Sequence, residues 1–263
     1  MSPSRIPTMA IVPQSHAEAP LDAPPIPDAA AIALFADLDG TLAPIEETPD
    51  QVGPDRRRRR LLDDLAAALE GRLAILSGRS LADLDRVLEG RVTALAAVHG
   101  LVRRQADGKV MGGAGGESVR RAARDFAAYA RDDPRLLVED KGLAVALHFR
   151  RAPDAAAPCL AEAREVAERT GLILQEGDQV VEVRRAGPDK GEALAAFMAE
   201  APFAGHQPVF LGDDLTDEAG FRAASRLGGF GVVVGARRPT AAAHALADIT
   251  AAAAWLAAIA ARR

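Results

Sequence analysis

Four short apolar runs, each ended by polar residues, constrain this chain more than any other feature. They are "AIALFAD" at 31–37, "RLAILSG" at 72–78, "ALAAVHG" at 94–100 and "PVFLGDD" at 208–214. "GVVVG" at 231–235 resembles them without the polar end. Apolar and unalternated, they read as strands buried on both faces, as in a parallel sheet covered by helices. Helical patterns separate the first three. "PDRRRRRLLDDLAAALEG" has Pro54 at a helix start and Gly71 at its stop. "SLADLDRVLEG" has Ser80 as an N-cap, with Asp83 in the first turn.

The rhythm changes in the middle of the chain. "LLVEDKGLAVALHFR" (136–150) alternates and carries "DKG" as a turn, so it reads as an antiparallel hairpin. "GLILQEGDQVVEVRR" (171–185) repeats that design around "EGD". An alanine-rich helical segment precedes each hairpin, at 117–131 and 154–170. Two helix-plus-hairpin units in succession predict an α+β cap over 105–185, inserted into an α/β doubly wound parallel-sheet core of 30–104 and 186–263. An alanine-rich helix near 251–262 closes the core.

The 263 residues carry a formal charge of −5, which attracts neither nucleic acid nor an anionic membrane. The run Arg56–Arg60 leads into "LLDDLAAAL" without aromatic residues, so it reads as a solvated helix face. Cys159 is the only cysteine, which excludes an internal disulfide and fits a reducing compartment. No apolar run approaches the ~20 residues a membrane-spanning helix needs. The first 29 residues, rich in Pro and Ala and lacking a continuous apolar stretch, read as a disordered tail rather than a secretory signal. A cytoplasmic protein is expected, with a monomer favoured.

In an open α/β sheet, ligands bind outside the carboxyl ends of the strands. There the chain collects Asp37 and Asp39, then Ser77 and Arg79, then His99, then Asp213, Asp214 and Asp217, while Lys190 opens the helical "DKGEALAAFMAE". Five carboxylates against that lysine repel one another unless a divalent cation joins them. Hard oxygen donors without a Cys or His set favour Mg²⁺ over zinc. Such an ion keeps open positions for a substrate phosphate, which Ser77 and Lys190 would grip with help from Arg79. An aspartate in line with phosphorus can attack it, and a second, two residues on, can move the protons. His99 reads equally as a substrate contact or a structural hydrogen-bonding group.

"DLDGTL", "SGR", Lys190 and "GDDLTDE" resemble, in order, the four signatures of the haloacid dehalogenase (HAD) superfamily. The middle narrows this: "EDKGLAVALHFR", "GDQVVEVRRAGPDKGEAL" and "PVFLGDDLTDEAGF" resemble trehalose-6-phosphate phosphatases, over about 31 to 235. The resemblance implies a Mg²⁺-dependent hydrolysis of trehalose 6-phosphate in trehalose biosynthesis. It implies Asp37 as nucleophile and Asp39 as general acid/base, and Asp37, the main-chain carbonyl of Asp39, and Asp213 as Mg²⁺ ligands, with Asp214 and Asp217 supporting. It also implies Ser77 and Lys190 on the phosphoryl group, and Lys141 and Glu182 as cap residues on the sugar. The chain departs from the family pattern once, with "HGLV" where HGAE is expected, so that Val102 takes a glutamate position beside Arg103 and Arg104.

Rival readings are a phosphatase for another sugar phosphate such as sucrose phosphate, a sugar phosphomutase, a phospho-receiver domain, and a phosphosugar-binding protein. A receiver needs only about 120 residues and no cap. The intact Asp37/Asp39 pair argues against a protein that only binds.

Overall fold

A computed structural model describes residues 21–262. Its first half runs β1 (Ile32–Ala36), α1 (Arg56–Ala68), β2 (Leu73–Leu76), α2 (Leu81–Leu88), β3 (Ala94–Ala97), β4 (Val102–Arg104) and β5 (Val110–Gly112). There follow α3 (Glu117–Tyr129), β6 (Leu137–Asp140), β7 (Ala144–His148), α4 (Ala156–Thr170), β8 (Ile173–Gly177) and β9 (Val180–Arg184). The chain then continues through α5 (Lys190–Met198), β10 (Gln207–Gly212), α6 (Glu218–Arg226), β11 (Phe230–Val234), β12 (His244–Leu246) and α7 (Ile249–Ala260).

The large sheet has the order β12-β11-β10-β1-β2-β3-β4-β5 and is parallel from β12 to β3. Successive side chains of a strand point to opposite faces, and both faces of β1 are buried. Ile32, Leu34 and Ala36 pack with residues of α1, α2 and α7, including Leu65, Leu84 and Leu256. Ala33 and Phe35 pack on the other side with Leu194 and Phe197 of α5 and Phe221 of α6. Phe35, Phe197 and Phe203 lie with ring centroids 5.3, 5.4 and 6.2 Å apart. Burying each such side chain contributes about 1.5–3 kcal/mol. Apolar runs without alternation are what a strand needs when both faces are covered.

The second sheet, β6-β7-β9-β8, is antiparallel and half-covered. Val145, Leu147, Val181 and Val183 face α3 and α4, packing with Phe126, Cys159 and Val166. The alternate residues Glu139, Ala146, Glu182 and Gln175 lie opposite one another across the four strands. That row faces the carboxyl edge of the large sheet.

Several expectations need correction. The last part of the expected tail lies on the core: Ala245 N donates to Asp22 O, and Trp255 Nε1 donates to Pro25 O at 3.0 Å. Residues 1–20 of that tail lie outside the described residues. The insertion starts later than 105, because β5 still pairs antiparallel with β4 at the edge of the large sheet. The strand β12 had no counterpart in the sequence reading. In the arginine run, Arg58 is buried, and its guanidinium donates to the carbonyls of Gly53 and Val87. No helix of the described residues is long and apolar enough to cross a membrane.

Candidate active site

β1 and β10 are neighbours, with Ala36 opposite Leu211, so the residues after each strand meet at one edge. Asp37 N donates to Leu211 O at 2.9 Å, which holds the first acid beside the second strand's end. The chain then turns sharply, with Leu42 N and Ala43 N both donating to Leu38 O at 2.8 Å. Gly40 makes this turn possible in two ways. Its φ is +80°, and a Cβ there would stand 2.1 Å from Asp213 Oδ2. Thr41 Oγ1 donates to Asp213 Oδ1 at 3.0 Å, fixing that carboxylate against the turn.

Lys190 is brought in by the start of α5, where Asp189 and Glu192 form a reciprocal capping box. Its Nζ lies 2.9 Å from Asp37 Oδ1 and 2.6 Å from Asp217 Oδ1. Burial alone would push this ammonium down, but Asp217 and Asp37 outweigh it and hold its pKa above the ordinary value. Asp217 is fully buried, and its Oδ2 accepts from the main-chain N–H groups of Asp213 and Asp214 at 2.9 and 3.0 Å. Both its oxygens are therefore in use, and it acts as the pin of the loop after β10.

Lys190 compensates the acids at the ends of β1 and β10 only in part. Burial raises the Asp37 pKa well above the usual range; Lys190 opposes this, while Asp217, Asp213 and Asp39 add to it. Asp213 is pushed up to about 7, by burial first and then by Asp217. Burial also raises Asp214. Carboxylate oxygens of Asp37, Asp213 and Asp217 lie within 4.8 Å of one another. With both Asp217 oxygens committed, the carboxylates of Asp37 and Asp213 are the ones whose hard oxygens fit a small cation such as Mg²⁺.

Ser77 is buried after β2, and its Oγ accepts from Arg79 N at 3.2 Å. Arg79, expected to help grip phosphate, is committed elsewhere. Its Nε and Nη2 donate to the two carboxylate oxygens of Asp39, both at 2.7 Å, and its Nη1 donates to Asp83 and to Pro49 O. After β3, Val98 and His99 both take positive φ, 48° and 58°, an outlier for a β-branched residue. Val98 N donates to Arg79 O and His99 N to Ser77 O, both at 2.9 Å, which ties this strained loop to the one after β2. The His99 ring lies over Gly78, where a Cβ would stand 2.5 Å from Nε2.

Opposite these groups, the second sheet presents a chain of charge. Lys141 Nζ lies 2.6 Å from Glu182 Oε2 and 3.9 Å from Glu139, and Glu139 pairs with His148 Nε2 at 2.9 Å. Burial would lower Lys141, but Glu182 and Glu139 outweigh it and raise its pKa. His99 Nε2 comes within 3.6 Å of Glu182 Oε1. This is no ion pair, because burial, with Lys141, Lys190 and Arg184, pushes His99 well below its ordinary value and keeps it neutral. Among the described residues, His99 Nδ1 and Glu182 Oε1 are buried without a hydrogen-bond partner, and both residues line the cleft. A polyhydroxylated ligand offers the donors and acceptors they lack.

The cleft between the two sheets thus brings together Asp37, Asp39, Ser77, Arg79, His99, Lys141, Glu182, Lys190, Asp213 and Asp214. Asp217 stands just behind it.

The family model for trehalose-phosphatase matches residues 35–250, which span every one of these groups. The chain belongs to the trehalose-phosphatase family. It is 43% identical over 211 residues to a protein of Escherichia coli (strain K12) named trehalose-6-phosphate phosphatase, covering 78% of each chain. It is 39% identical over 219 residues to a probable trehalose-phosphate phosphatase of Sinorhizobium fredii, covering 82% of each. Among solved structures, a trehalose-6-phosphate phosphatase related protein superposes with a TM-score of 0.73 at 27% identity, over 86% of this chain and 96% of that one. A HAD-superfamily phosphatase from Bacteroides thetaiotaomicron shares the fold at a TM-score of 0.58 and 16% identity, over 95% of this chain and 97% of that one. The α/β HAD core is therefore the fold of this trehalose-phosphatase family member.

One residue of the site, Glu139, escaped the sequence reading. Glu139 of β6 lies two residues before Lys141, which directly follows the strand's end, so alternation carried one residue further would have placed both on the cleft face. His148, the last residue of β7, also lines the cleft. Val102, at the glutamate position of the family pattern, lies elsewhere. It packs against the apolar core rather than lining the cleft, while Arg103 and Arg104 pair with Glu200 and Asp85. The departure from the family pattern therefore lies away from the cleft.

Proposed function

We propose that this trehalose-phosphatase family member hydrolyses trehalose 6-phosphate to trehalose and phosphate through an aspartyl-phosphate on Asp37, with Mg²⁺. The observation that carries the reading is the facing arrangement itself. Asp37, Lys190 and Asp213 sit on one wall of the cleft, and the Glu139–Lys141–Glu182 row sits on the other. One wall suits a phosphoryl group and the other a sugar.

Asp37 would attack phosphorus as the bond to the sugar oxygen breaks, and Asp39 would give that oxygen its proton. Water would then attack the phosphorus of the acyl-phosphate, passing its proton to Asp39 and returning Asp37 as a carboxylate. Ser77 and Lys190 would hold the phosphate oxygens, and Lys190 keeps Asp37 oriented throughout. Asp37, the main-chain carbonyl of Asp39, and Asp213 would hold Mg²⁺, which when bound neutralises charge on the phosphate oxygens. Asp214 and Asp217 support that set. The second sheet, acting as a cap, excludes bulk water and reads the sugar through Lys141, Glu182 and His99, with Glu139 and His148 beside them.

Phosphate release from trehalose 6-phosphate, sucrose 6-phosphate and glucose 6-phosphate, with Mg²⁺ and with EDTA, tests this. Mg²⁺-dependent release strongest with trehalose 6-phosphate is expected. A preference for another sugar phosphate would overturn the substrate, and full activity in EDTA would overturn the metal.

A further inference from the structure

We infer that Arg79 is a positioning residue for Asp39 and not a ligand of the phosphate. The inference rests on the reading of Asp39 as the proton-transfer group. A guanidinium has five N–H donors, and four of those of Arg79 are taken. Nε and Nη2 grip the two oxygens of Asp39 at 2.7 Å each, and Nη1 serves Asp83 and the Pro49 carbonyl.

The fork is also held from behind. Asp83 belongs to α2, where its main-chain N–H is capped by Ser80 Oγ, and its other oxygen accepts from Arg86 at 2.6 and 2.9 Å. The Arg79 side chain is only 6% exposed, whereas that of Asp39 is 32% exposed. A rigid, buried fork therefore meets a half-open carboxylate that follows a tight turn. The two-point contact fixes the carboxylate plane, which a lysine's point charge cannot do. Each Asp39 oxygen keeps one lone pair outside the fork, and Asp39 lines the cleft, as a proton-transfer group needs. A phosphate, by contrast, would find one N–H of Arg79 left.

A leaving group that needs no proton separates the two roles. p-Nitrophenolate departs unprotonated, whereas a sugar oxygen does not. The variants are R79M, which removes the fork, and R79K, which keeps a buried positive charge and so guards against a folding failure. Each is compared with the wild type, in Mg²⁺, on trehalose 6-phosphate and p-nitrophenyl phosphate, with inorganic phosphate as competitive inhibitor. For both variants the single-turnover rate on the sugar phosphate should fall about 10²–10³-fold, the range of a lost acid–base contribution. The burst of p-nitrophenolate should stay within about threefold of wild type, followed by slow turnover, and inhibition by inorganic phosphate should change by less than about threefold; these limits allow for the factor-of-two scatter of a contact not made. Equal losses on the two substrates would overturn the inference. So would inorganic phosphate binding weakened about tenfold, the loss of one charged hydrogen bond. A wild type inactive on both substrates would instead remove the functional reading beneath it.

Discussion

Gly40 and Asp213 are packed so closely that a single methyl group at the glycine would stand 2.1 Å from the Asp213 carboxylate. The turn after β1 and the loop after β10 are thus fitted to each other at the acidic cluster. Gly40→Ala must push Asp213 away and also strain a backbone at φ +80°. Misplacing a functional group by about 1 Å costs about 10²-fold in rate. The variant should lose at least that much activity and bind Mg²⁺ more weakly, which isothermal titration calorimetry checks.

Lys190 bridges Asp37 and Asp217 with its side chain 2% exposed. Removing one partner of a buried ion pair typically costs about 3–5 kcal/mol, because the other charge is left without compensation. Lys190→Met should therefore lower stability by about that amount in urea denaturation and abolish phosphate release. A variant as stable as the wild type would show that the acids share a proton or another cation instead.

His99 provides a pH dependence with a definite sign. It is kept neutral by burial and by Lys141, Lys190 and Arg184, while Glu182 faces it at 3.6 Å without outweighing them. The unfolded chain takes up a proton at this residue near the ordinary value of 6.5, and the folded chain does not. The unfolded state thus binds more protons, so stability is present above pH 6.5 and is lost as pH falls below it. The slope from one such group is at most about 1.4 kcal/mol per pH unit. Asparagine tolerates the left-handed backbone at this position. His99→Asn should flatten the fall in urea midpoint between pH 7 and pH 5 relative to the wild type.

Lys141 tests the sugar-facing wall separately from the chemistry. Lys141→Met breaks the pair with Glu182 but leaves Asp37, Asp213 and Lys190 in place. kcat/KM for trehalose 6-phosphate should fall about 10²-fold, or about 2.7 kcal/mol. Turnover of p-nitrophenyl phosphate, which carries no sugar, should change by less than about threefold, within the additivity of distant sites. Equal losses on both would place Lys141 in the phosphoryl machinery.

Much of this architecture was legible in the residues. β1, β2, β3, β10 and β11 are apolar runs because both sheet faces are covered, and that pattern survives without any knowledge of neighbours. The two hairpins alternate because α3 and α4 cover only one face of their sheet. Strands of three residues cannot show a period, so β4, β5 and β12 were invisible. Side-chain pairings across long separations were equally hidden. Asp39 and Arg79 stand forty residues apart, and each looked like a free ligand until their contact was seen. Arg58 is a related case in a charge run: it shares the buried face of α1 with Leu62 and Leu65, and its carbonyl partners Gly53 and Val87 were hidden.

Quenching a single turnover of trehalose 6-phosphate in acid and mapping phosphate onto peptides by mass tests Asp37 as the nucleophile. A phosphorylated peptide with the group on Asp37 is expected, absent in Asp37→Asn, which also releases no phosphate. Phosphate release undiminished in Asp37→Asn, or phosphorylation at another residue, would contradict it.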